Sequence, residues 1–373
     1  MITLESDDKC CGCGACVQRC PQSCIKLEED QQGFWYPVVD MQQCVNCHLC
    51  EQVCPFLNEN ITPNPIDCFA AVNEDQQIRL GSSSGGVFTL LAQSVIASGG
   101  VVFGARFDEE WHVVHDYADY MEGLSAFRGS KYVQSMLGDN YIKAEQFLKQ
   151  GRTVLFSGTP CQIEGLKHYL GREYEELIAV EVVCHGVPSP KVWKEYLYGK
   201  MGKKPVSVVN FRDKTTGWKD YSVRIGHVLR RHDNDEYMGC FLSNYSLRPS
   251  CFNCPSKSGK SGADITLGDL WGAQVIAPSL DDNLGTSVVI ANTEKGLNAV
   301  NSCGMSKLVA VEYGQVVSHN PAICKSSSKP DDYDDFWKKF SSRPFRSIKV
   351  YGRRHLPSLS VRIKVWVYRL LKG

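Results

Sequence analysis

Two runs of cysteine constrain the first 58 residues. Cys10, Cys13, Cys16, Cys20 and Pro21 make one run, and Cys44, Cys47, Cys50, Cys54 and Pro55 repeat it 34 residues later. Each reads C-x2-C-x2-C-x3-C-P, a spacing that wraps a [4Fe–4S] cubane. Soft thiolates stabilise iron–sulfur cores, and the short spacers carry three sulfurs of one loop to three irons. The fourth cysteine of each run reaches across to the other cluster. Cys10, Cys13, Cys16 and Cys54 are therefore expected on one cubane, and Cys44, Cys47, Cys50 and Cys20 on the other. Zinc sites favour separated C-x2-C pairs, unlike this duplicated pattern. Such a chain moves electrons singly.

The double pattern is that of a two-cluster ferredoxin, but 373 residues are far more than a ferredoxin needs and allow a sizeable further core. With 43% hydrophobic and 22% charged residues, the composition is ordinary for a globular protein. Eighteen cysteines would suggest disulfides only in a small secreted domain. Met1 to Lys9 is polar, without a signal-like apolar run, and no stretch of about 18 apolar residues follows. Free thiols in a reducing cytoplasm, in a low-oxygen (anaerobic) setting, are expected. A nucleic-acid partner is not.

The zero net charge hides a split. Lys338 to Gly373 carries 11 Lys or Arg and no Asp or Glu, which leaves 30 basic against 41 acidic residues in 1–337. Read as a helix, Ser358 to Lys372 puts Leu359, Ile363, Trp366, Val367, Leu370 and Leu371 on one face. Ser358, Arg362, Arg369 and Lys372 lie opposite, with Val365 as the apolar exception. This amphipathic segment suits docking on the acidic body or a protein partner. It also suits peripheral contact with the inner membrane surface through anionic lipid. Alternation at Val361, Ile363, Val365 and Val367 leaves a strand open.

Four regions follow: a two-cluster domain (1–58), a Pro-containing linker (59–67), a large body (68–330) and a basic tail (331–373). Ile25 to Val39 reads as a hairpin packed on the clusters. In the body, Val87, Leu90, Leu91, Ser94 and Val95 share a helical face that Gly99 and Gly100 end, before a strand at Val101 to Phe107. A strand at Thr153 to Gly158 leads into a helix capped by Thr159, with Pro160 in its first turn, Gln162 completing a capping box and Gly171 closing it. A strand at Leu177 to Cys184 follows, with a helix from about Ser189. This βαβ unit implies a partly parallel sheet. A hairpin around Ser222 to Tyr237, a strand at Ile265 to Leu267 and a strand–helix pair at Ser287 to Ser302 complete the reading. The expected class is α/β (α+β overall): a small ferredoxin-like domain before a larger mixed-sheet domain.

Cys161, in the first turn of a helix, and Cys184, at a strand's carboxyl end, fall on the rim where α/β sheets bind ligands. Cys251 and Cys254 supply a C-x2-C pair followed by Pro255. Four thiolates converging there would hold a third [4Fe–4S] cluster. Buried structural cysteines, a redox dithiol or half a zinc site remain open on spacing alone. Cys11, Cys24, Cys68, Cys240, Cys303 and Cys324 are assigned to packing, Cys240 being the nearest to an exception. His48 is a bystander inside a complete ligand set.

The segments SSSGGVFTLLA (82–92), SKYVQS (130–135), SGTPCQIEGLKHYL (157–170), CHGVPSP (184–190) and CFNCP…ADITLGDLWG (251–272) occur in an order that resembles the beta subunit of coenzyme F420-reducing hydrogenase and its dehydrogenase relatives. The resemblance covers roughly 68–325. It implies that Cys161, Cys184, Cys251 and Cys254 ligate a cluster beside FAD. Ser82, Ser83, Ser84, Gly85 and Gly86 then make sense as a phosphate-binding helix start, where backbone N–H groups meet a pyrophosphate. Lys131 is expected near the flavin as a stabilising cation, and Asp269 on its ribityl or ribose.

The expected function is an iron–sulfur flavoprotein oxidoreductase. Electrons would pass between a protein carrier such as ferredoxin, or a larger redox complex, and an organic small molecule through [4Fe–4S] clusters and FAD. Use of coenzyme F420 itself, or a purely electron-transferring subunit role, are the alternatives. No catalytic residue is assigned.

Overall fold

A computed structural model describes residues 2–354 apart from 59, 61–63 and 203. The amphipathic segment expected at 358–372 lies outside the described residues.

The N-terminal module builds an antiparallel hairpin from β1 (Ile25–Glu29) and β2 (Trp35–Val39) between its two cysteine loops. Eight of the later strands form one mixed sheet. In chain order β3 (Asp67–Val72), β4 (Val101–Phe107), β5 (Val113–Ala118), β6 (Val154–Gly158) and β7 (Leu177–Val182) come first. A separate antiparallel meander of β8 (Val209–Asp213), β9 (Ser222–Ile225) and β10 (Val228–Arg231) interrupts them, before β11 (Ile265–Asp269), β12 (Ser287–Ala291) and β13 (Lys307–Ala310). The spatial order is β13-β3-β12-β11-β7-β6-β4-β5.

The central four, β11, β7, β6 and β4, run parallel, and the flanks are antiparallel. Their near-continuous apolar sequences, such as VLFSG in β6 and SVVIA in β12, suit strands covered on both faces. Alternation then decides which neighbour each residue meets. Val101, Phe103, Val154 and Phe156 pack with the helices Asn140–Lys149 and Pro160–Leu170. Val102, Leu155 and Val180 face the helices Val87–Ala97 and Glu294–Ser302.

Two boundaries read from the sequence do not interrupt the packing. Phe34 and Tyr36 of the hairpin share one hydrophobic core with the meander and with Tyr333, Phe336, Trp337, Phe340, Ile348 and Tyr351. Residues from 331 were expected in a tail set apart by charge. Instead the helices Tyr333–Ser342 and Pro344–Arg354 are integral, because their aromatic faces bury against the helices Pro190–Met201 and Glu236–Leu242 while Lys338 and Arg346 are exposed. The hairpin around Ser222 ends at Arg231 rather than Tyr237. Asp235 accepts from the Tyr237 and Met238 amides and starts a helix there. Among the described residues no helix is long and apolar enough to cross a membrane.

Candidate functional site

The two cysteine runs fold into two adjoining groups. Cys20, Cys44, Cys47 and Cys50 line one small cavity together with Cys24, Ile25 and Val39. Cys47 is exposed there, whereas Cys50 is buried and accepts from the Ile2 amide at 3.2 Å. Cys10, Cys13, Cys16 and Cys54 form the second group. Burial raises the Cys16 and Cys54 thiols, and neighbouring sulfurs add to it: Cys10, Cys54 and Cys50 for Cys16, and Cys10 for Cys54. Cys20 thus lies beside the second run and Cys54 beside the first. His48 borders the same cavity as Cys20 and Cys44 but is exposed and paired with Glu51 at 2.8 Å.

Cys161, Cys184, Cys251 and Cys254 also come together, from three separate segments. Thr159 begins the helix that carries Cys161 through a capping box, its amide donating to Gln162 Oε1 at 3.0 Å. Cys184 follows β7. The turn Pro249–Asn253 is tied over the same rim, with the Val187 amide donating to Cys251 Sγ at 3.4 Å and the Arg248 amide to Val187 O at 3.0 Å. Burial pushes Cys184 up to about 11 and Cys254 up to about 12, with nearby Cys161 adding to both. Left alone these sulfurs resist ionising, so cationic iron is what would stabilise them as thiolates. Among the described residues no three His, Cys, Asp or Glu side chains are set to hold one metal ion. A cubane instead spreads its thiolates over four irons.

The second and third groups nearly touch. A side chain on Gly165, in the helix that carries Cys161, would meet Cys13 Sγ at 2.9 Å. Cys11 fills the gap, buried and hydrogen-bonded to both Cys13 and Cys161. Packing was the role expected of Cys11, and its neighbours give it more: it sits between two cysteine groups. Cys24 likewise contacts Cys20 at 3.4 Å. Cys240 is fully buried, its thiol facing Ile348 O at 3.3 Å, and is a packing residue.

On the other side of the third group, at the carboxyl ends of the parallel strands, lies a cavity of about 450 Å³. Its wall includes Cys184, and also Ser82, Ser83, Ser84, Gly86, Lys131 and Asp269 from the sequence expectation. Gly85 does not face it: its amide donates to Ser287 Oγ at 2.9 Å and its carbonyl accepts from Asn73 at 2.7 Å. The serine hydroxyls mainly brace the loop. Ser84 donates to Thr286 O, and Ser83 accepts from the Ser130 amide at 2.6 Å. Lys214 supports it from behind, its ammonium donating to the carbonyls of Arg79, Ser84 and Leu284. The helix Val87–Ala97 starts without a side-chain cap, so its first amides remain for a ligand.

The rest of the wall was not foreseen. Arg212 is buried, pairs with Asp269 Oδ2 at 2.7 Å and stacks on Tyr221, while its Nε and Nη2 have no partner. Those unsatisfied donors fit an anionic or carbonyl-rich ligand. Asp269 is thus committed to Arg212, and also receives Trp218 Nε1 at 3.3 Å. Lys131 donates to Ala126 O and Arg128 O, and burial lowers its ammonium to about 7. His115 contacts Ser157 O through Nε2 at 3.0 Å and Ser135 Oγ through Nδ1 at 2.9 Å. The carbonyl assigns the proton to Nε2, and burial holds the ring down at about 4, hence neutral. No local motif marks Arg212 or His115, because their partners are brought by the fold.

Residues 151–315 match the model of the family described as the C terminus of the coenzyme F420 hydrogenase/dehydrogenase beta subunit, and residues 9–58 match that of a 4Fe-4S dicluster domain. The chain thus joins a 4Fe-4S dicluster domain to a region, 151–315, that is similar to the C terminus of the coenzyme F420 hydrogenase/dehydrogenase beta subunit. An uncharacterized protein of Methanocaldococcus jannaschii is 24% identical over 232 residues, which are 53% of this chain and 62% of that one. A ferredoxin of Mycolicibacterium smegmatis is 32% identical over 74 residues, 19% of this chain and 65% of that one. The chain therefore spans about three fifths to two thirds of the length of these curated relatives. A chain in the structure of the F420-reducing [NiFe] hydrogenase complex from Methanosarcina barkeri aligns over 77% of this chain and 91% of its own, with 16% identity and a TM-score of 0.49.

Proposed function

We propose that this iron–sulfur protein is a flavin-dependent oxidoreductase in which electrons pass between a protein carrier, or a larger redox complex, and an organic small molecule. One observation carries the reading: Cys184 of the third cysteine group lines the same cavity as the Ser82–Ser84 loop. A volume of about 450 Å³ lies in the range of cofactor sites.

The order of the groups supports a single route. Cys47 gives the Cys20/Cys44/Cys47/Cys50 group an exposed edge where a carrier can dock. Cys16 and Cys50 join that group to the next, and Cys11, Cys13 and Cys161 join the next to the third. FAD bound in the cavity would exchange electrons singly with the third cluster and in pairs with the substrate. This chain's part is to hold phosphates at the uncapped helix start, to offer the free Arg212 donors and to keep His115 neutral beside the ring site. The enclosing wall of Val180, Leu267 and Phe241 excludes water.

Anaerobic reconstitution with FAD tests this. One FAD per chain is expected, with its absorbance bleached by a reduced ferredoxin and restored by an organic acceptor. Failure to bind flavin overturns the reading, and stable bleaching that no small molecule reverses reduces the protein to an electron-transferring subunit.

A further inference from the structure

Arg248 is fully buried, yet its guanidinium has no carboxylate partner among the described residues. Nε donates to Cys10 O at 2.6 Å, Nη1 to Gln134 Oε1 at 3.2 Å and Nη2 to Trp35 O at 3.0 Å. The group stacks on Tyr36 at 4.2 Å. These contacts give each nitrogen one acceptor but leave the charge uncompensated, a costly state for an ion held away from water. Its position names the missing anions. A side chain on Gly12, inside the Cys10–Cys13 loop, would meet Nη1 at 2.9 Å. On the other side Arg248 starts the turn that carries Cys251, whose amide donates to Arg248 O at 2.9 Å.

We propose that Arg248 is the shared counter-cation of two iron–sulfur clusters, the one held by Cys10, Cys13, Cys16 and Cys54 and the one held by Cys161, Cys184, Cys251 and Cys254. This rests on the cluster reading above. A cubane with four thiolates is an anion whose negative charge grows by one on reduction, and a fixed buried cation favours the reduced form of both. The sulfurs of Cys10, Cys11 and Cys251 in turn favour the charged guanidinium. Arg248 acts through the ligands and is a positioning residue. It keeps two neighbouring potentials moving together, so the step between them stays nearly level.

The test is an EPR-monitored redox titration of full-length protein, with iron and sulfide counted first. Arg248→Met should shift both junction clusters to lower potential, by about tenfold in the reduction equilibrium, or about 59 mV for one electron. The Cys20/Cys44/Cys47/Cys50 cluster should hold its midpoint, and Arg248→Lys should recover part of the shift. Should Arg248→Met fail to fold, Gln134→Glu leaves the guanidinium in place and neutralises its field with a carboxylate, and it should lower the same two midpoints. A wild-type count of only about eight iron removes the third cluster and with it the cluster reading. Three full clusters with unmoved potentials, or with all three shifted equally, overturn the role of Arg248 alone.

Discussion

The N-terminal module and the carboxyl rim of the sheet gather four-cysteine groups in opposite ways. In the module, three sulfurs of each group come from one loop of seven residues, such as Cys44 to Cys50, and only the fourth crosses over. At the rim, Cys161, Cys184 and the Cys251/Cys254 pair belong to three segments that a parallel β6–β7 pair and a tied-down turn must align. Local assembly costs little loop-closure entropy, while assembly across 93 residues depends on the whole sheet. The rim group is therefore the more fragile of the two.

Removing one ligand from it should have the largest effect. Cys251→Ala should lower iron from about 12 to about eight per chain and leave the dicluster signals intact. The matching change in the module, Cys47→Ala, should spare the third group. If either variant empties all sites, the two regions do not load independently.

A smaller effect is expected where the regions meet. Gly165→Leu would drive a side chain into Cys13 and separate the second and third groups. Overpacking of this kind costs about 1–3 kcal/mol. Rapid-mixing reduction of flavin by a carrier should slow while the iron count stays at wild type. An unchanged rate would place the electron route elsewhere.

The mildest effect tests the cavity alone. The Lys131 ammonium is lowered to about 7 by burial, and an anionic ligand would raise it again. Binding then takes up a proton wherever the free protein has lost it, so FAD affinity should fall as pH rises above about 7, by at most about tenfold per pH unit. Below that pH the lysine is already charged and the profile should be flat. Lys131→Met should remove the slope, as followed by equilibrium dialysis between pH 6 and pH 9.

This contrast also governs how much of the site was legible. The module's ligands, the capping box at Thr159 and the βαβ unit all rest on spacings of a few residues, and sequence displays those directly. Arg248 bonds Cys10 across 238 positions, and Arg79 accompanies Asp282 across 203. No periodicity encodes such pairs. One signal was available for Arg248, a basic residue three positions before the C-x2-C pair, and one for Cys11, a second cysteine directly after a ligand. The charge change near 338 misled, because it reports the outer faces of two helices whose inner faces are aromatic.

Phe34 of the hairpin lies 6.1 Å from Trp337, ring centre to ring centre, and both belong to the core that the last described helices close. A ferredoxin on a loose tether works as a courier, swinging between donor and acceptor at a pace set by its linker. Here the same module is clamped by residues from the opposite end of the described chain, and in the proposed route it would work as a fixed terminal. Turnover would then be governed by how often a carrier collides productively with the edge at Cys47, which makes the rate sensitive to carrier concentration and ionic strength rather than to linker length.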